Sequence, residues 1–269
     1  MLCLKMSYRK MPTDFLGFAD AYEDVRPKVP MYPINVIYKY LGRNPETAVD
    51  LGCGTGLSTM VWVDVCKNVI GIEPSYDMIR VAKNKNLPNT KFIQAFSNDT
   101  GLDDNCADAV VCSQSFHWMK PKSTLKEINR ILKDGGVFAT IDCDWPPVTD
   151  WRAEKAYMDL YGKVKKLESE LDDVKSTFAF YSKDKHLQNI KESGYFRYSR
   201  ELLFANTEKC TAERFIGIIL SQGSFQAVWN KHRELLEDDL EKFKTVIYDI
   251  FGKSEFDIDF CYRMRVAVK

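Results

Sequence analysis

Short apolar runs rich in β-branched residues alternate, along the first half of the chain, with segments whose apolar residues recur every three or four positions. The first pattern is typical of buried parallel strands and the second of amphipathic helices. Strands are predicted at TAVDL (47–51), NVIGIE (68–73), TKFIQAF (90–96), ADAVVCSQS (107–115) and GVFATIDCDW (136–145). Strands that alternate with helices form right-handed βαβ units, which predicts a doubly wound α/β core over about 45–145.

Helix boundaries are marked by capping residues. A helix over 75–85 is expected to begin at Ser75 as its N-cap, and a helix over 123–136 is expected to end on a glycine pair. Further along, the spacing predicts a long helix from Trp151 to Leu171, a helix at 184–194, a strand at 198–205, a helical block over about 211–252 and a last strand at 258–268.

The chain contains no repeat and no Gly/Ser linker, so a single domain of residues 1–269 is predicted. Its core is expected to comprise about 45–145, 184–206 and 257–269. The remaining helical segments, about 1–40, 146–183 and 207–256, are interpreted as a helical cap on that core.

Composition limits the possible partners. Lys and Arg number 38, as do Asp and Glu, so no strong field favours nucleic acid. The eight cysteines form no C-x-x-C pair and only three histidines are present, which predicts no metal site. No secretory signal or membrane-length apolar run is visible, so we expect a cytoplasmic protein with reduced thiols and no membrane contact.

The segment VDLGCGTGLSTM (49–60) is predicted to be a strand, a tight turn and a helix, with glycines at 52, 54 and 56. A dinucleotide fingerprint would need glycine where Leu57 stands, and a phosphate-binding loop would need a Lys-Ser or Lys-Thr pair that is missing. Asp50 before the turn and Glu73 after the second strand instead supply carboxylates, and an acid at the second position can bind ribose hydroxyls. These features suit a ligand with a ribose, an ammonium group and no phosphate, such as S-adenosylmethionine (SAM).

Four segments, AVDLGCGTG, GIEPSYDMI, CADAVVCSQSFHWM and EINRILKDGGVFA, together resemble the class I SAM-dependent methyltransferases, of the type that includes trans-aconitate methyltransferases. The segment AYEDVRPKVPMYP (21–33) also resembles the N-terminal part of that group. The resemblance implies a Rossmann-like methyltransferase fold with a mostly parallel seven-stranded sheet, SAM as cofactor and a small-molecule acceptor. If the acceptor is a carboxylate, Arg26, Arg263 or Arg265 is expected to neutralise it.

The resemblance also implies residue roles. Gly52, Gly54 and Gly56 would border the methionine part of SAM, with Asp50 near its amino group, and Glu73 would hold the ribose. The remaining cofactor contacts would come from Tyr22, Arg26, Pro74, Met78, Phe96, Ser97, Ser113 and Gln114. Phe96 departs from the family pattern, which often has an acid there, so adenine contact at that position is expected to be stacking and backbone bonding.

Several roles have two interpretations. His117 follows the fourth strand, where it could act as a general base or make a structural hydrogen bond. Trp118 and Trp145 could line the acceptor site or pack the cap against the core, and Asp50 could pin the loop backbone instead of binding a ligand. For the whole chain, the alternative to a methyltransferase is a non-catalytic SAM-binding or protein-interaction module.

Overall fold

The computed structural model describes residues 25–175 and 180–269. Within these residues seven strands form one sheet. The strands are β1 (Thr47–Leu51), β2 (Asn68–Ile72), β3 (Thr90–Ile93), β4 (Ala107–Ser113), β5 (Leu132–Cys143), β6 (Tyr198–Cys210) and β7 (Phe256–Val268). All seven lie at predicted positions, because an apolar run bounded by turn residues is a strong pattern for a buried strand.

Helices connect and cover the strands. They are α1 (Tyr32–Leu41), α2 (Leu57–Met60), α3 (Tyr76–Asn84), α4 (Pro121–Ile131), α5 (Trp151–Glu170), α6 (Asp172–Lys175), α7 (His186–Glu192), α8 (Ala212–Leu220), α9 (Gly223–His232) and α10 (Glu237–Phe251). Short 3₁₀ turns lie at Phe116–Trp118, Lys183–Lys185 and Arg233–Leu235. Ser75 caps α3 as predicted, since its side chain accepts a hydrogen bond from the backbone N–H of Met78.

The strand order across the sheet is β3-β2-β1-β4-β5-β7-β6. Strands β1 to β5 pair in parallel, while β7 runs antiparallel to both β5 and β6. The predicted α/β sheet, seven-stranded and mostly parallel, is therefore confirmed. The order reverses between β1 and β4, and ligands of open α/β sheets bind outside the carboxyl ends of the strands at such a reversal.

Both faces of the sheet are buried, as the alternation of side chains along β1 shows. Ala48 packs in a cluster with residues of α1, α5, α8 and α10, whereas Val49 and Leu51 pack in a second cluster with residues of α4 and α7. Successive side chains of a strand point to opposite faces, so β1 is covered on both sides and only its carboxyl end is open to a ligand.

The predicted helix end at 136 is wrong. Helix α4 stops at Ile131, and β5 begins at Leu132, which pairs with Ala107 of β4. Gly135 lies in β5 with a φ of +76°, and its N–H donates to the backbone oxygen of Lys269 in the terminal segment. Buried Ile131 and Leu132 suit a helix or a strand equally well, so the apolar pattern did not mark the change.

The structure adds detail to two further predictions. The helical block over 211–252 consists of the three helices α8, α9 and α10. The chain leaves α8 at Ser221, whose hydroxyl donates to the backbone oxygen of Ile218, and turns again before α10. Helix α1, assigned to the cap from sequence, packs against β5 and β7 as part of the layer on the sheet.

Within the described ranges, no helix combines the length and the apolar character needed to cross a bilayer. The same residues contain no cluster of His, Cys, Asp or Glu suited to a metal ion.

Candidate active site

The glycine loop between β1 and α2 lies at the reversal of strand order. The backbone N–H groups of Gly52 and Cys53 both donate to the carbonyl oxygen of Ile72, at 2.8 and 3.1 Å, which ties the loop to the end of β2. Gly52 and Gly54 have φ values of +70° and +55°, in the left-handed region that favours glycine. The loop is thus a fixed turn at the carboxyl end of β1.

The glycines of this loop differ in what a side chain would meet. A Cβ at Gly52 would lie 2.6 Å from Cβ of Ser115, and one at Gly56 would lie 3.0 Å from Cζ of Phe92. A Cβ at Gly54 would meet no atom of residues 25–175 and 180–269 within 4 Å. Packing within the protein therefore requires small residues at 52 and 56, whereas Gly54 faces open space at the mouth of the sheet.

Asp50, in β1 directly before the loop, is hydrogen-bonded to the helix that follows the loop. It is fully buried, and its Oδ2 accepts hydrogen bonds from the hydroxyls of Ser58 and Thr59 at 2.6 and 2.8 Å. Its Oδ1 is buried and has no hydrogen-bond partner among the described residues. Burial raises the pKa of Asp50 to about 6, although the two hydroxyl bonds act to lower it. These contacts tie Asp50 to the start of α2 through side-chain hydroxyls, and Oδ1 retains the capacity to accept a further hydrogen bond.

Glu73, directly after β2, faces the same loop. Its Oε2 accepts the N–H of Gly54 at 3.0 Å and its Oε1 accepts the N–H of Ser75 at 2.9 Å. Burial raises the pKa of this carboxyl, while the two backbone hydrogen bonds lower it. Each carboxylate oxygen can accept a second hydrogen bond, so Glu73 can bridge the loop, the start of α3 and a ligand hydroxyl.

The predicted adenine-side residues lie beyond β2 and β3. Pro74 and Met78 are half-buried at the start of α3, and Phe96 is 51% exposed. Ser97 shares a hydrogen bond of 2.9 Å with the hydroxyl of Thr124 in α4. The exposed Phe96 ring is free of the core, and the Ser97 hydroxyl already has a partner in the protein.

The end of β4 faces the glycine loop from the other side of the reversal. Ser113 and Gln114 are half-buried there, and Gln114 has a φ of +53°. The next residue, Ser115, donates its hydroxyl to the carbonyl oxygen of Leu51 at 2.6 Å and so links the ends of β4 and β1. Sequence reasoning did not single out Ser115, because its role depends on a partner 64 residues away.

His117 lies beside a buried charge cluster that sequence reasoning also missed. Asp142 near the end of β5 accepts hydrogen bonds on Oδ2 from Nδ1 of His186 at 3.1 Å and from Nη1 of Arg265 at 2.9 Å. Its Oδ1 lies 3.6 Å from Nδ1 of His117 and 3.4 Å from Nζ of Lys183. The sequence did contain one indication of this cluster, because Asp142 is an acid within the apolar run of β5.

The pKa values in this cluster follow from burial and charge. Burial lowers the pKa of His117, the charges of Lys183 and His186 lower it further, and Asp142 acts to raise it. Burial acts to raise the pKa of the Asp142 carboxyl, but both imidazoles and the charge of Lys183 bring it below its ordinary value. At neutral pH the cluster therefore contains an ionised Asp142 and an uncharged His117.

The N-terminal segment of the described residues borders the site. Pro27, Val29 and Pro30 line a small cavity together with Gln114 of the β4 end and Tyr262 of β7. The neighbouring Arg26 donates to the backbone oxygen of Ser221 at 2.6 Å, and its guanidinium lies 5.7 Å from the centre of the Trp145 ring. Tyr22, predicted to contact the cofactor, lies outside the described residues.

One predicted role near the acceptor changes. Arg265, a candidate to neutralise a carboxylate acceptor, is 1% exposed and already bound to Asp142 and Glu201, so it is unavailable to a ligand. Trp145 packs edge-on against Phe260 of β7 and is partly buried, and its acceptor role stays a prediction.

Two other residues predicted to contact the acceptor, Trp118 and Arg263, are partly exposed. Trp118 is 43% exposed and contacts the rings of His117 and Phe180. Arg263 pairs with Asp144 at 2.9 Å and is only partly buried. The acceptor role of Trp118 stays a prediction.

Comparison with known proteins agrees with this geometry. Residues 49–140, which include the glycine loop, Glu73 and His117, match a family model described as a methyltransferase domain. Residues 49–140 form a SAM-dependent methyltransferase domain. SAM is accordingly the cofactor of this domain.

The methyltransferase domain has curated relatives. An uncharacterized methyltransferase of Mycobacterium tuberculosis is 34% identical over 130 residues, which cover 48% of this chain and 52% of that protein. CRG1 of Saccharomyces cerevisiae, named as a probable SAM-dependent methyltransferase, is 32% identical over 124 residues, covering 44% and 43% of the two chains. The chain spans about half the length of the curated relatives it matches.

Solved structures share the fold of the methyltransferase domain and its flanks. A protein described as a type II methyltransferase from Anaeromyxobacter dehalogenans superposes with a TM-score of 0.63 and 19% identity, covering 90% of this chain and 97% of that one. The (4+2) cyclase SpnF superposes with a TM-score of 0.50 and 16% identity, covering 88% and 80%. At these identities the likeness shows the fold alone.

Proposed function

We propose that the chain transfers a methyl group from SAM to a small-molecule acceptor bound at the carboxyl ends of β4 and β5, beside His117 and Trp118. The observation that carries the proposal is the open space at Gly54, in a loop whose other glycines are closely packed. The matching methyltransferase model over residues 49–140 and the acid at position 73 support it.

The residues present fit SAM. Gly54 offers backbone without a side chain, Glu73 offers a carboxylate for ribose hydroxyls, and the unpartnered Oδ1 of Asp50 can accept a bond from an ammonium group directly or through water. When bound, SAM supplies a sulfonium-activated methyl group, so the protein's main tasks are alignment of the acceptor and exclusion of water. Ser113 and Gln114 are proposed to contact its amino-acid end, and Pro74, Met78 and Phe96 its adenine.

We further propose that helices α5 and α8 to α10 act as a cap over the acceptor. Helix α5 packs on α9 and α10, and their buried aromatic residues join the cluster on one face of the sheet. A small molecule under such a cap suits the resemblance to the trans-aconitate methyltransferase group. For a carboxylate acceptor, Arg26 and Arg263 stay the candidate partners, because Arg265 is buried and bound to Asp142 and Glu201.

The seven cysteines among the described residues are free thiols. Free thiols are the usual state in a reducing compartment, so we propose the cytoplasm as the location.

Substitution of Glu73 by Gln is expected to weaken binding of S-adenosylhomocysteine (SAH). The amide keeps one oxygen but presents N–H protons where the carboxylate accepts the N–H of Gly54 or Ser75. Hydrogen bonds to a charged group contribute about 1.5–3 kcal/mol, so Kd should rise roughly 10- to 100-fold. Calorimetric titration measures it, with Glu46→Gln as the control, since Glu46 is exposed and pairs with Lys67. An unchanged Kd in Glu73→Gln would remove Glu73 from the site.

The function itself is tested by product formation. The protein is incubated with SAM and with small carboxylic acids, amines and phenols, and SAH is measured by mass spectrometry. We expect one acceptor class to give SAH in proportion to protein, and the same reaction to fail in a glycine-loop variant. A protein that binds SAH but forms none with any acceptor would favour the non-catalytic binding module.

A further inference from the structure

His117 has a buried nitrogen that forms no hydrogen bond with the part of the chain that the structure describes. The residue is 6% exposed, and no donor or acceptor of the described residues lies at bonding geometry to its Nδ1. The nearest acid is Asp142, whose Oδ1 lies 3.6 Å from that nitrogen, longer than a hydrogen bond. A buried polar atom left unpaired destabilises the fold, so a small movement that closes this gap is favourable.

Asp142 has the capacity to accept that bond. Its Oδ2 already receives hydrogen bonds from His186 and Arg265, whereas its Oδ1 faces only the two longer contacts with His117 and Lys183. A carboxylate accepts but does not donate, so an imidazole nitrogen bonded to it must carry the proton. Arg265 pairs with both Asp142 and Glu201, and the ammonium of Lys183 lies 3.4 Å from Oδ1 of Asp142, so the Asp142 carboxylate faces two positive charges.

We propose that Asp142 is a positioning residue for His117, which receives the Nδ1–H of the imidazole and thereby leaves Nε2 unprotonated as the base for the methyl acceptor. The inference rests on the proposed function. The acceptor's O–H or N–H proton moves to Nε2 while its electron pair forms the bond to the methyl carbon, and the carbon–sulfur pair stays on sulfur. The imidazolium formed is paired with Asp142 and later releases its proton to water.

Lys183 contacts both Asp142 and the end of β4, and its charge affects the pKa of His117. Its ammonium lies 3.1 Å from Oε1 of Gln114 as well as 3.4 Å from Oδ1 of Asp142. The titratable groups acting on His117 are Asp142 on β5, Lys183 before α7 and His186 in α7. Asp142 favours the protonated imidazole, and Lys183 and His186 disfavour it, so removal of Asp142 or of Lys183 should have opposite effects.

The test is nitrogen NMR of the full chain labelled in its histidines, recorded without SAM or acceptor. Only His117, His186 and His232 contribute signals, and His117→Asn and His232→Asn variants assign them. We expect His117 to be uncharged at pH 7 with the proton on Nδ1. The His186 signal is an internal reference, because its Nδ1 is bonded to Asp142 in the structure. A His117 proton on Nε2, or a charged His117 at pH 7, would overturn the proposal.

Two variants test whether Asp142 and Lys183 set the pKa and the tautomer of His117. Lys183→Met should raise the pKa of His117 and leave its tautomer unchanged, and Asp142→Asn should lower that pKa by about one unit or more and change the tautomer. If Asp142→Asn fails to fold because Arg265 loses one of its two carboxylate partners, the His117 tautomer of the parent protein and the His117 pKa in Lys183→Met decide the question. A His117 pKa that does not rise in Lys183→Met would contradict the proposal.

A failure of the Asp142 inference can be distinguished from a failure of the proposed methyltransferase function. Binding of SAH with the wrong His117 tautomer would leave the methyltransferase assignment intact and remove only Asp142 as a positioning residue. With an active acceptor in hand, the acid limb of kcat/KM against pH should move to higher pH in Lys183→Met. A limb that does not move would show that His117 is not the base and would overturn the inference.

Discussion

Gly54→Val is expected to abolish SAM and SAH binding while the protein remains folded. The built Cβ at Gly54 meets no protein atom within 4 Å, so the new side chain would extend into the space proposed for the cofactor. The left-handed φ of +55° adds a backbone cost of about 1–2 kcal/mol for an L-residue, which the fold must also absorb. Calorimetry with SAH should give no binding heat for this variant.

Gly194→Val is the matched control for this experiment. Gly194 lies between α7 and β6 with a φ of +72°, is exposed, and likewise has no atom within 4 Å of a built Cβ. It therefore carries the same backbone strain away from the proposed site. We expect Gly194→Val to bind SAH as the parent does, with a similar loss of stability in thermal unfolding. Normal SAH affinity in a folded Gly54→Val protein would contradict the placement of the cofactor.

His117→Asn is expected to lower turnover about 10²- to 10⁴-fold, the usual contribution of a general base, while SAH binding is retained. The Asn amide nitrogen stands close to the place of Nδ1, so the contact with Asp142 can persist while the base at Nε2 is lost. Burial lowers the pKa of His117, so in the parent protein activity should fall only as pH drops below the ordinary range of histidine.

The control for this variant is His232→Asn. His232 is the last residue of α9, nine positions after Gly223, and its Nε2 pairs with Asp173 near the surface. Its replacement should leave kcat and the pH profile unchanged. Full activity in His117→Asn would leave His117 a structural residue and methyl transfer a matter of positioning alone.

Much of the fold and the glycine loop could be predicted because local chemistry determines them. The runs at 47–51 and 68–73 are apolar and end at turn residues, and the alternation of strands and helices leaves few topologies. Gly52, Gly54 and Glu73 could be singled out because a strand, turn and helix with that spacing bring them to one edge of the sheet. What distinguishes Gly54 from Gly52 is the packing of Ser115, which no local pattern contains.

The buried charge cluster around Asp142 could not be predicted, because it too depends on contacts between distant parts of the chain. His117 and Asp142 come from different strand ends, while Lys183, His186 and Arg265 come from later elements, and the contacts of Asp142 span up to 123 residues. In the sequence Arg265 looked like a candidate for an acceptor carboxylate, but β7 returns antiparallel beside β5 and places it in the core. Pairing between distant strands, rather than residue type, decides which charges reach the site.

The central claim is that the loop around Gly54 holds an adenosyl ligand, and a calorimetric titration of the purified chain with SAH, SAM and NAD tests it most directly. We predict saturable binding of SAH and SAM with one site per chain, and no heat with NAD, since Leu57 stands where a dinucleotide fingerprint needs glycine. Binding of NAD without SAM or SAH, or binding of none of the three, would contradict this account.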